Sequence, residues 1–152
     1  MMRAGLPYFF ATGCYSGLAP RAPGTAGSAA AAVIGAGLLW ISPALLAPAA
    51  LAATIAGFWA VPLVAEPNED PGYVVIDEWA GQWLAIAALG RFSLWGVVAA
   101  FALFRLFDIT KPGPIGWADR QTGAFGIMTD DIFAGAAAAL IILVLRHFGW
   151  LP

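Results

Sequence analysis

The chain has 152 residues, 61% of them hydrophobic and 11% charged, with a formal net charge of −2 and a mean hydropathy of +0.82. An ordinary soluble domain carries about a quarter charged residues, and so short a chain could not bury this much apolar surface in a core of its own. The composition excludes a water-soluble globular domain, and no nucleic-acid partner is expected.

The first eleven residues, Met1 to Ala11, carry one arginine and an apolar patch that Pro7 interrupts. The uninterrupted stretch is shorter than the apolar core of a secretory signal, which runs to about 7–15 residues. The segment reads instead as a short cytoplasmic or interfacial piece. With one cysteine and one histidine, neither an internal disulfide nor a zinc site built on those residues is available. Cys14 and Arg21 are separated by six residues, one too many for the phosphate loop of a phosphatase with a cysteine nucleophile. His147 closes the last apolar run beside Arg146 and reads as an interfacial residue.

Five apolar segments follow, at about residues 24–41, 45–65, 74–89, 92–107 and 131–148. Residues 22–65 contain no charge at all, room for two crossings at roughly 20 residues each. Pro48 falls near the start of the second segment, where a helix tolerates it. The third and fourth segments span only about 24 Å at 1.5 Å per residue, so they are expected to sit partly in the interface or in a protein-lined site. The expectation is one domain over residues 1–152, all-α: a multi-pass transmembrane bundle of four to five helices with a polar site on one membrane face. Alanine runs at 29–32 and 136–139 suit close helix contacts or lipid-facing filler. Trp40, Trp59, Trp79, Trp83, Trp95 and Trp150 fall near segment ends or one to two turns inside, and several suit an aromatic belt.

Alternating crossings put the N-terminal segment, loop 66–73 and loop 108–130 on one side. That side holds Arg3, Arg21, Lys111 and Arg120, against Arg91 and Arg146 on the other, a bias that marks it as cytoplasmic. All nine acids (Glu66, Glu69, Asp70, Asp77, Glu78, Asp108, Asp119, Asp130 and Asp131) fall in its loops or at adjoining helix ends. Charges at membrane depth cost about 3 kcal/mol each on insertion scales, so they come with partners and a function.

Three stretches carry that function. Asp77-Glu78 opens the third apolar run, with Gly81 and Gln82 one turn on along the same faces. Arg105, Asp108 and Lys111, at successive spacings of three, can share one helical edge. Thr129-Asp130-Asp131 precedes the last run. Each acidic pair could simply favour a helix N-terminus, and Arg105–Asp108 could be a structural ion pair. Together, however, two acidic pairs and a third aspartate converge on one face, where unpaired they would repel and a divalent cation relieves that. Oxygen ligands without histidine suit magnesium, which is bound by one or two carboxylates plus substrate phosphate. Arg21-Ala22-Pro23-Gly24-Thr25-Ala26-Gly27-Ser28 adds a cation, two glycines and two hydroxyls before the first run, and amides there can face a phosphate. It lacks the Gly-Lys-Ser/Thr ending of a nucleotide P-loop.

The stretch Arg21–Ser28, the stretch Asp70-Pro-Gly-Tyr-Val-Val-Ile-Asp-Glu-Trp-Ala-Gly-Gln82, Phe104-Arg-Leu-Phe-Asp-Ile-Thr-Lys-Pro-Gly-Pro-Ile115 and Gly126-Ile-Met-Thr-Asp-Asp131 occur in the order of the phosphatidylglycerophosphatase A family. The chain resembles that family from about residue 13 to 146. It departs at Gly123-Ala124-Phe125, where the family often has a run of glycines. The resemblance implies an all-helical, magnesium-dependent hydrolase of the bacterial inner membrane. Its substrate would be a phospholipid in the bilayer, phosphatidylglycerophosphate, converted to phosphatidylglycerol. With metal-ion chemistry the expected ligands are Asp77, Glu78, Asp130 and Asp131, with Asp108 as a further ligand or the base that orients water. Arg21, Thr25, Ser28, Arg105 and Lys111 would hold the phosphate. Asp77, Asp108, Lys111 and Asp131 form the expected catalytic set. No Asp-x-Asp pair supports an aspartyl-phosphate, so direct attack by water is preferred. A CDP-alcohol phosphotransferase would need Asp-x-x-Asp-Gly and a later Asp-x-x-x-Asp, neither of which occurs. An ion carrier would place its acids mid-span, whereas these lie at segment ends.

Overall fold

The structure, a computed structural model, describes residues 5–67 and 69–152. Arg3, counted above toward the charge bias, lies outside them. Among the described residues all regular structure is helical. The helices are α1 (Leu6–Ala11), α2 (Pro23–Ile41), α3 (Leu46–Val64), α4 (Ile76–Ala87), α5 (Leu94–Thr110), α6 (Pro114–Asp119) and α7 (Gly123–His147), with single 3₁₀ turns at Ser16–Leu18 and Pro43–Leu45.

Three of these are long and apolar enough to cross a membrane: α2, α3 with its preceding turn, and α7. The expectation of four to five spanning helices is therefore matched by three on length and composition. Helix α4 has 12 residues, about 18 Å at 1.5 Å per residue, too short to cross alone. Helix α5, with 17 residues, reaches about 25 Å.

The short α4 is tolerated because lipid hardly touches it. It packs against α7, α3, α2 and α5, and Ile76 through Gln82, with Ala85 and Ile86, are all buried. Its backbone polar groups thus meet protein rather than hydrocarbon, the condition under which irregular ends are allowed at membrane depth. Around it, α2 and α7 run in the same direction as α4, and α3 and α5 run opposite. Where α2 passes α4, a Cβ on Gly24 would meet Glu78 and one on Gly35 would meet Ile86 and Trp83. At the far end Arg146 Nη1 donates to the Ala88 carbonyl, 2.7 Å away, closing the C-terminus of α4 from α7.

The α4–α7 crossing is backbone on backbone. A Cβ on Gly81 would lie 2.4 Å from the Asp131 carbonyl oxygen, and one on Gly135 would lie 2.4 Å from the Gly81 carbonyl oxygen. Small residues permit this approach, and van der Waals packing then holds helices that share an apolar solvent. Asp77 precedes Gly81, and Asp131 precedes Gly135, by one helical turn. The crossing therefore sets the two aspartates side by side.

Two expectations about tryptophan change. Trp40, Trp95 and Trp150 are exposed at the end of α2, the start of α5 and just beyond α7, the same end of the bundle, as a belt requires. Trp79 and Trp83 instead belong to the interior, ring centroids 5.2 Å apart, with Trp83 Nε1 bonded to the Ala31 carbonyl at 2.8 Å. Near-end position in the sequence misled because α4 is packed on four helices, which leave only Trp83, Leu84 and Ala87 partly exposed. The alanine runs divide between both roles: Ala31, Ala32 and Ala138 are buried, while Ala29 is exposed.

Candidate active site

Helix α7 starts at Gly123, eight residues before the expected start of the last run at Asp131. Asp130 and Asp131 thus sit two turns inside a helix, where they cap nothing and gain little from its dipole, which acts within the first turn. Asp77 and Glu78 do occupy the first turn of α4. In each pair the first aspartate accepts from the next residue's amide: Glu78 N to Asp77 Oδ1 and Asp131 N to Asp130 Oδ1, both 3.0 Å.

The close approach of α4 and α7 brings Asp77, Glu78 and Asp131 together, with one carboxylate oxygen from each within 4.8 Å of the others. All five expected ligand acids line one cavity of about 230 Å³, together with Lys111, Pro23, Gly24 and Asp70. Asp77, Glu78, Asp130 and Asp131 are buried. Glu78 Oε2 and Asp131 Oδ2 have no hydrogen-bond partner, and an orphaned buried carboxylate oxygen is among the costliest polar groups to leave unmet. A cation among these oxygens would supply the missing partner. With hard oxygen donors and neither sulfur nor imidazole, the set fits a hard cation.

Two cations face the acids. Arg105 pairs with Asp108 three residues on. Its Nη1 also donates to Ser28 Oγ and its Nη2 to Thr25 Oγ1, both at 3.3 Å. The two hydroxyls read as phosphate contacts are thus gathered by one guanidinium, across from α5 to α2. Arg21 lies exposed just before α2, outside this network. Lys111 does not stay on the helical edge of Arg105 and Asp108. As the C-cap of α5 it adopts a left-handed conformation with φ 45°, one that a side-chain-bearing residue rarely takes. The turn sends its ammonium to Asp130, 2.7 Å away, and to Asp119. Burial lowers its pKa, but the bonds to Asp119 and Asp130 more than offset this and hold it above the ordinary lysine range.

Asp70 and Asp119 enter the site although neither carried a role in the sequence reading. Asp70 lies at the cavity rim. Partial desolvation raises its pKa, Lys111 pulls it down, and Asp119 and Asp108 add to the rise. The available signal was its place at the head of the Asp-Pro-Gly stretch. Gly24 was read for its amide and matters also for its bareness: a Cβ there would lie 2.4 Å from Glu78 Oε1.

The sequence profile of the phosphatidylglycerophosphatase A family matches residues 9–146. The chain belongs to that family. Membership makes it a lipid phosphatase, in keeping with three membrane-length helices and an acidic cavity. Its sequence is 35% identical over 143 residues to the phosphatidylglycerophosphatase A of Escherichia coli (strain K12), covering 92% of this chain and 83% of that one. The Haemophilus influenzae phosphatidylglycerophosphatase A is 35% identical over 145 residues, 93% of this chain and 89% of its own. A Bacteroides thetaiotaomicron protein described as a "putative phosphatidylinositol-3-phosphatase" is 42% identical over 149 residues, 93% of this chain and 94% of its own. No solved structure matches the chain.

Proposed function

We propose that this member of the phosphatidylglycerophosphatase A family hydrolyses the phosphate monoester of phosphatidylglycerophosphate to phosphatidylglycerol and phosphate, with magnesium, at the cytoplasmic face of a bacterial inner membrane. The observation that carries the reading is the Asp77–Glu78–Asp131 triad, with its orphaned oxygens, beside two anchored cations. The 35% identical enzymes that bear the name support the substrate.

Asp77, Glu78 and Asp131 would hold the metal, with Asp108 and Asp130 flanking. When bound, such an ion polarises a phosphoryl oxygen and lowers the pKa of coordinated water. The chain's own groups do the rest. Arg105, fixed by Asp108, Ser28 and Thr25, and Lys111, fixed by Asp130 and Asp119, offset charge on the phosphoryl oxygens as the transition state forms. Fixing both cations beforehand spares reorganisation during reaction. Asp108, one oxygen of which is engaged by Arg105, orients a water and takes its proton. The new bond forms between water oxygen and phosphorus, the bond to the glycerol oxygen breaks, and that oxygen leaves as the lipid alcohol with the proton that Asp108 took from the water.

Cytoplasmic placement rests on Arg21, Lys111 and Arg120 at the cavity end, against Arg91 and Arg146 at the other. The 42% identical Bacteroides protein favours a second reading in which the headgroup is a phosphorylated inositol. Phosphate release by purified protein from each lipid, in magnesium and in excess chelator, tests both readings. Release from phosphatidylglycerophosphate that chelation abolishes is expected. Release that ignores chelator would refute the metal, and preference for phosphatidylinositol 3-phosphate would replace the substrate.

A further inference from the structure

An open apolar groove of about 450 Å³ runs down the outside of the bundle, lined by Phe107, Pro112, Ile115, Phe133, Ala137 and Leu140 among others. Its floor is a stripe of α7 at helical spacing, residues 133, 136, 137 and 140, and its wall is the end of α5 with the turn into α6. The lining neighbours the acidic cavity in sequence at three points: Phe107 precedes Asp108, Pro112 follows Lys111, and Phe133 lies two residues beyond Asp131. From Phe133 to Leu140 the groove descends about 10 Å at 1.5 Å per residue, away from the acids and along a helix of membrane-spanning length.

We infer that this groove seats the first part of one acyl chain of the lipid substrate and thereby sets the depth at which the phosphorylated headgroup meets the acids. The inference rests on the lipid phosphatase reading and deepens it. The chemistry required is that of the groove: a hydrocarbon surface whose lining stands next in sequence to that of a polar cavity, at Phe107–Asp108 and Lys111–Pro112. An amphipathic ester has the same layout, a charged end joined to a chain. A second apolar hollow, about 330 Å³ between α1, α3 and α4, is lined by Ala49, Ala53, Trp79 and Trp83 among others. It adjoins the site in sequence through Ile76 and Trp79, which flank Asp77-Glu78 on the one helix α4, whereas the groove adjoins it on both α5 and α7, so it is the poorer seat. Binding energy from a chain far from phosphorus would position the reacting group, and shortening the chain would then reduce turnover as well as binding.

The test fills the groove. Ala137→Trp places an indole on its floor, and Leu140→Trp fills its lower end from an exposed position that folding tolerates more readily. For each variant in detergent micelles, kcat/KM is measured on phosphatidylglycerophosphate with long and with four-carbon chains. The expected result is a loss of about tenfold or more on the long-chain lipid, the worth of roughly two buried methylenes, and little change on the short one. Equal loss on both lipids, or no loss on either, overturns the inference.

Cross-linking keeps the groove separate from the choice of substrate. A phosphatidic acid carrying a photoreactive group near the ester end of one chain is added to the wild-type protein in vesicles of neutral lipid. Labels concentrated in residues 107–115 and 133–140, and competed by unlabelled phosphatidic acid but not by diacylglycerol, support the groove even if phosphatidylglycerophosphate is not hydrolysed. Labels spread over α2 and α3, or gathered at Ala49–Ala56, overturn it even if hydrolysis is found.

Discussion

Replacing Gly135 by alanine should separate the two helices that assemble the acidic triad. The added Cβ would lie 2.4, 2.7 and 2.9 Å from the carbonyl oxygen, Cα and carbonyl carbon of Gly81, all backbone, so no side chain can swing aside. Ordinary contact begins at 3.4 Å, so α7 must withdraw from α4 by about 1 Å at this point. Asp131 is one turn away on α7, and Asp77 and Glu78 lie on α4 within 4.8 Å of its carboxylate. A displacement of about 1 Å in a catalytic constellation can reduce rate by about a hundredfold, while overpacking of this kind destabilises by about 1–3 kcal/mol. The assay is phosphate release from phosphatidylglycerophosphate, alongside thermal unfolding in detergent. Gly37→Ala, with nothing within 4 Å of its Cβ, is the matched control and should keep full activity. A Gly135→Ala protein that stays folded and retains more than half the wild-type rate would refute the claim that this crossing positions the site.

Asp131→Asn should abolish turnover while leaving the protein folded in membranes, since a buried carboxylate oxygen without a partner opposes folding and its loss costs no bond; a near-normal rate would remove it from the site. Arg105→Lys should lower kcat by about a hundredfold, as lost transition-state donors do. A lysine cannot span Thr25, Ser28 and Asp108 at once, and unchanged kcat with raised KM would show that Arg105 only binds. Lys111→Ala should destabilise the fold by about 1–3 kcal/mol by leaving buried Asp130 unpaired, which denaturation in detergent would read; Asp130→Asn in the same chain should restore part of the loss. Asp70→Asn, measured in chelator, bears on pH. The folded state raises the Asp70 pKa, so it binds the proton more tightly than the unfolded chain. Ionisation of Asp70 therefore lowers stability as pH rises through the ordinary value near 3.8. The variant should melt at a higher temperature than wild type at pH 7, with the difference vanishing below that value; a lower melting temperature at pH 7 would reverse the sign.

Composition alone determined the solvent, because 61% hydrophobic residues in a chain of this length leave no soluble solution. Hydropathy also located α2, α3, α5 and the end of α7 to within a few residues, since each is a local run and its helical hydrogen bonds are internal. The acids could be assigned to one side because short turns at Ser42-Pro43 and Gly90-Arg91 force the chain to reverse. What a local reading could not supply was which surface covers each helix. Lipid and protein are equally apolar, so α4, enclosed by four neighbours, reads in sequence much like a spanning helix. For the same reason its Trp79 and Trp83 pass for belt residues. The true start of α7 was hidden because Gly123 and Gly126, both poor helix formers, break up its first turn, and the segment becomes helical by packing on α6 and α4. The contact of Gly81 with Gly135, the turn of Lys111 toward Asp130, and the capture of Thr25 and Ser28 by Arg105 are all meetings of residues far apart in the chain. Tertiary structure alone decided them, and with them which of the clustered acids face one another across a gap that a cation can fill.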